Sequence, residues 1–302
     1  MQRVDAAGLE IGEGCPPRIM GVLNVSAESP YDPSVFAAPD AAARYVDREL
    51  VGEGAEIVDV GLASANKRFE TLTPAEELDR LDTAVETIER VDGEPVFSIE
   101  TRYAAVADRA LSSGFEMVND VCGFADPEMP AVCAAHDAAV VKMASPPDLE
   151  RPGAIVGVEN LLAALERGGL TEKTIVDPAF GGWSVEKTLA DDRETFRRLS
   201  EFRALDRPLL VSINRKNFLG DLVDRETDGR LPASLAATAL VVERGADVIR
   251  THDVVETRDA ALIGHALGNR DGDRRSDERR HDAPRDATGD RADGSRGRPD
   301  GS

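Results

Sequence analysis

Lysine is nearly missing from this sequence of 302 residues: only positions 67, 142, 173, 187 and 216 carry it, the other basic residues being arginine. Acids outnumber bases 57 to 36, for a formal net charge of −21. Such a surface repels phosphate, which argues against a nucleic-acid partner. A surface rich in Asp and Glu and poor in Lys stays hydrated at high salt, where its self-repulsion is screened, so a halophilic protein is expected. No apolar run approaches the roughly 18–20 residues a bilayer span needs, which excludes a membrane partner of that kind. The opening Met1-Gln2-Arg3-Val4-Asp5 is acidic at once and has no apolar stretch, unlike a secretory signal. Cysteines are few and odd in number (Cys15, Cys122, Cys133) and lack metal-ligand spacing. A reduced, cytoplasmic setting is the expectation.

Residues 269–302 contain no Val, Ile, Leu, Met, Phe, Trp or Tyr, and hold nine Arg against nine Asp+Glu. A segment of that composition buries too little apolar surface to offset its ordering entropy, so a disordered charged tail is expected. Residues 1–268 instead alternate short apolar runs with amphipathic helical stretches. The runs are 19–25, 57–60, 95–99, 117–119, 139–143, 174–177, 209–213 and 248–250. Helical patterns cover 41–52, 74–91, 102–113, 127–137, 186–203 and 233–245, several ending at or near glycine. Near-continuous hydrophobic strands imply burial on both faces, hence a parallel sheet covered by helices. Eight strands with crossovers in about 250 residues match an α/β fold of the (β/α)8 TIM-barrel type. An open doubly wound sheet is the alternative, but no G-x-G-x-x-G follows any run.

Chemistry in such a barrel sits where strands run into the following loops. Those positions hold Asn24, Asp59, Glu100, Asn119, Lys142, Asp177, Asn214-Arg215-Lys216 and Arg250-Thr251-His252-Asp253. Any one of them is ordinary for a turn; together they are selective. Glu100, Asn119 and Asp177 suit a heteroaromatic ring rich in N–H and carbonyl groups, whereas Asn24, Arg215, Lys216, Arg250 and His252 suit phosphate. One pocket with both halves would bind a phosphorylated heterocycle.

Ile19-Met20-Gly21-Val22-Leu23-Asn24-Val25 resembles the opening strand of dihydropteroate synthases. So do Ser98-Ile99-Glu100-Thr101, Val118-Asn119-Asp120-Val121, Ile175-Val176-Asp177-Pro178, Asn214-Arg215-Lys216-Asn217 and Arg250-Thr251-His252-Asp253-Val254, in the family's order. The resemblance spans about residues 18–265. It implies a TIM barrel, usually a homodimer, that joins 6-hydroxymethyl-7,8-dihydropterin diphosphate to p-aminobenzoate with Mg²⁺ assistance. It further implies that Asn119, Asp177 and Lys216 hold the pterin ring, with Glu100 where the family has Asp. Asn24, Arg250 and His252 would lie along the diphosphate, Asn24 near the Mg²⁺. Since the chemistry is loss of diphosphate followed by amine attack, no nucleophilic side chain is required.

Departures from the pattern cluster in the acceptor loops. The first loop reads Ser26-Ala27-Glu28-Ser29-Pro30-Tyr31-Asp32-Pro33, and the second Gly61-Leu62-Ala63-Ser64-Ala65-Asn66-Lys67-Arg68. Ala65 replaces a threonine and Asn214 a serine that in the family meet p-aminobenzoate. Lys67 and Arg68 are therefore the candidate holders of the acceptor carboxylate. Two alternatives stay open: a pterin-dependent methyltransferase on the same barrel, and a non-catalytic or altered-acceptor pterin-binding homologue.

Overall fold

The computed structural model describes residues 2–25, 34–63, 71–181, 183–184 and 186–268. The expected tail therefore lies outside the described residues, as do Lys67 and Arg68 and the whole first loop over 26–33.

Eight parallel strands form one sheet: β3 (Arg18–Asn24), β4 (Ile57–Gly61), β5 (Val96–Thr101), β6 (Met117–Asp120), β7 (Ala139–Met143), β8 (Thr174–Asp177), β9 (Leu210–Val211) and β10 (Val248–Thr251). Their spatial order is β8-β7-β6-β5-β4-β3-β10-β9. A bridge between Val176 and Leu209 brings β8 against the start of β9, so the sheet nearly closes into the expected barrel. The open doubly wound alternative is thereby set aside. Helices α1 (Pro39–Tyr45), α2 (Pro74–Ile88), α3 (Ala104–Leu111), α4 (Met129–Ala135), α5 (Val158–Glu166), α6 (Leu189–Arg197), α7 (Asn217–Val223) and α8 (Leu231–Glu243) occupy the crossovers, and α9 (Val254–Leu267) follows the last strand. The stretch read as one helix over 41–52 changes at Val46 from α to a wider π-helical turn ending at Val51. The stretch over 186–203 begins only at Leu189, where Thr188 and Asp191 form a capping box, and continues after Arg197 as a 3₁₀ segment over Leu199–Leu205.

A hairpin not foreseen from the sequence precedes the barrel: β1 (Arg3–Ala6) pairs antiparallel with β2 (Leu9–Gly12). Ala7 and Gly8 turn it with φ of 50° and 89°, both left-handed, the geometry that matches a two-residue turn to the twist of its strands. Val4, Ala6 and Ile11 are buried in one cluster with Met20, Ile57, Val96, Met117, Ala139, Val141, Ile175, Leu210 and Val248. Those barrel residues lie at the N-terminal end of the inward faces, so the hairpin forms a floor. Burying each such side chain contributes roughly 1.5–3 kcal/mol.

Because side chains alternate along a strand, residues two and four positions farther on also face inward. Above Ile57 come Asp59 and Gly61; above Val96, Ser98 and Glu100; above Met117, Asn119; above Ile175, Asp177; above Val248, Arg250. An apolar floor beneath a polar upper layer is what positions the site.

Candidate active site

Register places Asn24, Gly61, Glu100 and Asn119 on one rung across four adjacent strands. One level lower, Asp59 is fully buried and accepts three hydrogen bonds. Its Oδ1 takes the Ser98 hydroxyl at 2.7 Å; its Oδ2 takes Asn119 Nδ2 at 2.9 Å and Arg250 Nε at 2.7 Å. Arg250 reaches on with Nη2 to Glu100 Oε2 at 2.8 Å. Five polar side chains from β4, β5, β6 and β10 thus form one connected network. Burial pushes the Glu100 carboxyl up from the usual carboxylate range, a tendency the Arg250 cation opposes.

On the far side, Asp177 Oδ1 accepts Ala179 N–H at 2.7 Å, which fixes the carboxylate at the end of β8. Burial lifts its pKa to about 6, against that hydrogen bond and the nearby charge of Lys216. Burial likewise lowers Lys216 to about 8, with Arg250 adding to the effect and Asp177 opposing it. Lys216 lies against Gly181, whose φ is 114°; a Cβ there would sit 3.0 Å from Nζ. Glycine therefore lets the lysine into the pocket. The ring of Trp183 is 5.7 Å from the same ammonium. Beneath this turn Lys187 and Asp192 form a buried pair at 3.0 Å. Lys187 also donates to the Ala179 carbonyl, and Asp192 accepts Gly181 N–H. Neither residue was singled out in the sequence; their separation from Asp177 hides a link that only folding creates.

His252 is half-buried beside cations. Its pKa falls to about 3, first from desolvation and then from Arg250, so the ring is neutral at physiological pH. Its backbone N–H points to Asn214 Oδ1 at 3.4 Å. Asn24 donates Nδ2 to the Ser34 hydroxyl at 2.9 Å. Its Oδ1 would be 2.8 Å from a Cβ at Gly61, so the close approach there requires glycine.

Three of the polar residues at strand ends are committed elsewhere. Arg215 clasps Asp253 through Nε at 2.8 Å and Nη2 at 2.7 Å, and reaches the carbonyls of Thr227 and Asp228 with Nη1. Asn214 donates to the same carboxylate at 2.8 Å. Arg215 thus ties the loop after β9 to the loop after β10 rather than standing as an open phosphate ligand. Lys142 alternates with inward-facing Val141, so it faces the helices. It donates to the carbonyls of Arg167 and Gly169 and lies 4.5 Å from the Phe124 ring.

The model of the "Pterin binding enzyme" family matches residues 20–252. A dihydropteroate synthase of Bacillus subtilis is 30% identical over 260 residues, covering 84% of this chain and 90% of that protein. The chain belongs to the dihydropteroate synthase family of pterin-binding enzymes. Within that family, a probable bifunctional folylpolyglutamate synthase/dihydropteroate synthase of Halobacterium salinarum is 36% identical over 267 residues. The match covers 84% of this chain but 32% of that relative, so the chain spans about a third of its length. A solved dihydropteroate synthase of Xanthomonas albilineans with 4-aminobenzoic acid superposes with a TM-score of 0.73 at 30% identity, over 88% of this chain and 97% of that one. One from Coxiella burnetii in complex with pteroic acid gives 0.71 at 27%, over 88% and 98%. No helix among the described residues is long and apolar enough to cross a membrane.

Proposed function

We infer that the chain is a dihydropteroate synthase: a transferase that condenses 6-hydroxymethyl-7,8-dihydropterin diphosphate with p-aminobenzoate and releases diphosphate, in folate biosynthesis. The observation that carries this reading is the joined network in which ring-type acceptors, Glu100 directly and Asn119 through Asp59, connect to Arg250 of the neighbouring phosphate-type half-site. Asn119, Asp177 and Glu100 accept from ring N–H groups while Lys216 donates to a ring acceptor, which fixes the orientation of the heterocycle. The bond from the exocyclic methylene to the diphosphate oxygen breaks with its electron pair leaving on diphosphate. The amine nitrogen then bonds the methylene carbon and gives up a proton. Arg250 offsets the charge developing on the leaving group, and neutral His252 offers it a hydrogen bond without adding charge. Asn24 lies at the same end of the barrel.

The donor set fits a Mg²⁺ that would be held by few protein ligands, Asn24 among them. The Asn24 amide nitrogen is engaged by Ser34, which leaves Oδ1 as the one neutral oxygen ligand. No group of three His, Cys, Asp or Glu that could hold a metal occurs among the described residues. Mg²⁺ is commonly held by one or two protein oxygens together with substrate phosphates, and it would supply charge neutralisation on diphosphate.

Lys67 and Arg68 remain our candidates for the acceptor carboxylate. The Asn214 amide is taken up by Asp253, so the serine-type contact implied by the family resemblance is not reproduced, and this favours an altered-acceptor protein as the second reading. A homodimer is supported by exposed apolar residues on α7, α8 and α9, among them Leu222, Val223, Leu240, Ile263 and Leu267. A halophilic, cytoplasmic protein is supported by the charge of −21 and by similar proteins from Halobacterium and Haloferax. The deciding experiment is a diphosphate-release assay at molar KCl with pterin diphosphate and p-aminobenzoate. Pterin binding without turnover at any salt would replace the synthase reading by the altered-acceptor one.

A further inference from the structure

Asp59 has no assigned part in binding, yet it bonds one residue from each half of the pocket, Asn119 and Arg250. Its Oδ2 accepts simultaneously from Asn119 Nδ2 and from Arg250 Nε, while Oδ1 accepts the Ser98 hydroxyl. An ionised carboxylate only accepts hydrogen bonds. The side of the Asn119 amide facing it must therefore be the nitrogen, as the hydrogen bond from Nδ2 has it. The Asn119 carbonyl oxygen is then the atom left to a ligand. In the same way, Arg250 is held by its Nε edge and by Glu100, which sets the plane of the guanidinium.

We propose that Asp59 is a positioning residue for both half-sites: it turns the Asn119 carbonyl toward ring N–H groups and holds Arg250 at the anion. This deepens the pterin reading and rests on it. Ring specificity then follows from a residue that does not touch the ring. A heterocycle edge presenting an acceptor to Asn119 would be refused, because the amide cannot reverse without setting its own oxygen against the Asp59 carboxylate.

The two substitutions at this position have different expected outcomes. Asp59→Ala removes the shared acceptor and frees both partners. Asp59→Asn can keep an oxygen on the side shared by Asn119 and Arg250, because its new NH₂ can turn to Ser98, whose hydroxyl can accept as readily as donate. It keeps the orientation and removes one negative charge next to Arg250. Calorimetry on the full chain in molar KCl, with 6-hydroxymethylpterin and separately with inorganic diphosphate and Mg²⁺, tests this. Asp59→Ala should weaken pterin binding at least tenfold. Asp59→Asn should keep pterin affinity within about threefold and tighten diphosphate binding by about threefold or more, in accord with the lost repulsion. If Asp59→Ala does not fold, the split in Asp59→Asn decides alone. A merely structural aspartate would lose both ligands together in the Asn variant, and that result would overturn the proposal. So would an Ala variant that binds both probes as the wild type does. Wild-type protein that binds neither probe would instead remove the pterin reading, and this inference with it.

Discussion

Replacing Asp177 by Asn tests the ring half of the site in a way that separates binding from stability. The carboxylate is buried, one oxygen is held by Ala179 N–H, and the other is left for the ligand. Asn retains the size but presents one acceptor and one donor where two acceptors stood. Losing a charged hydrogen bond to a ring N–H costs roughly 1.5–3 kcal/mol, or about 10- to 150-fold in affinity. The fold should gain. Burial raises this carboxyl from 3.8 to about 6, so the folded state holds its proton longer than the unfolded chain. Stability therefore falls as the pH rises from about 4 to about 6 and stays lower above it. At 1.36 kcal/mol per pKa unit, that penalty is at most about 3 kcal/mol at neutral pH, and Asn relieves it. The pH dependence of pterin binding should change as well. The wild type should lose affinity below about pH 6 as Asp177 protonates and above about pH 8 as Lys216 loses its charge. In Asp177→Asn the acid limb disappears, and the basic limb moves below 8, because Lys216 loses the anion that supports its charge. Calorimetry with 6-hydroxymethylpterin across pH 5–9, beside thermal melts, provides both readouts. An acid limb near 6 surviving in the variant would assign it to another group, and unchanged affinity would take Asp177 out of the site.

Three more outcomes are expected. Glu100→Asp withdraws the carboxylate by about 1.5 Å from Arg250, one methylene, and should keep pterin affinity within about tenfold. Glu100→Gln should lose more because Arg250 loses a counter-charge; equal and negligible effects would mean that Glu100 serves neither the ring nor Arg250. The melting temperature should climb by several degrees between 0.1 and 2 M KCl as salt screens the net charge of −21, and a flat profile would remove the halophilic reading. Changing Lys67 and Arg68 together to Ala should raise the Michaelis constant for p-aminobenzoate while pterin affinity holds; unchanged constants would locate the acceptor carboxylate elsewhere.

The barrel strands were legible because each is a short, largely apolar run bounded by helical periodicity; Ala139–Met143 and Thr174–Asp177 match residue for residue although each carries a polar residue, Lys142 in one and Asp177 ending the other. The hairpin went unread because four-residue strands with Ala-Gly between them, at Val4, Ala6, Leu9 and Ile11, carry too little pattern to separate from a loop. Within the site, polar residues ending apolar strands marked Glu100, Asn119, Asp177 and Arg250 directly. Alternation could have done more. Counting by twos from Ile57 or Val141 directs Asp59 into the pocket and Lys142 out of it, but only once the apolar floor reveals which parity faces in. What no spacing rule reveals is partnership. Arg215 looks like a phosphate ligand beside Lys216 until Asp253, thirty-eight residues onward, is seen to hold it. The same is true of Lys187 and the turn after Asp177.

The hairpin floor also bears on the order in which the molecule can be assembled. β1 and β2 leave the ribosome before every strand they pack upon, yet their side chains Val4, Ala6 and Ile11 share a cluster with Val248 on the last strand. The seat for the earliest segment is thus finished by the latest one. Such contacts have a large sequence separation and are slow to form. A nascent chain stalled before residue 248 would carry this apolar pair with an incomplete seat, and the stalled chain, rather than the finished enzyme, is where aggregation would begin.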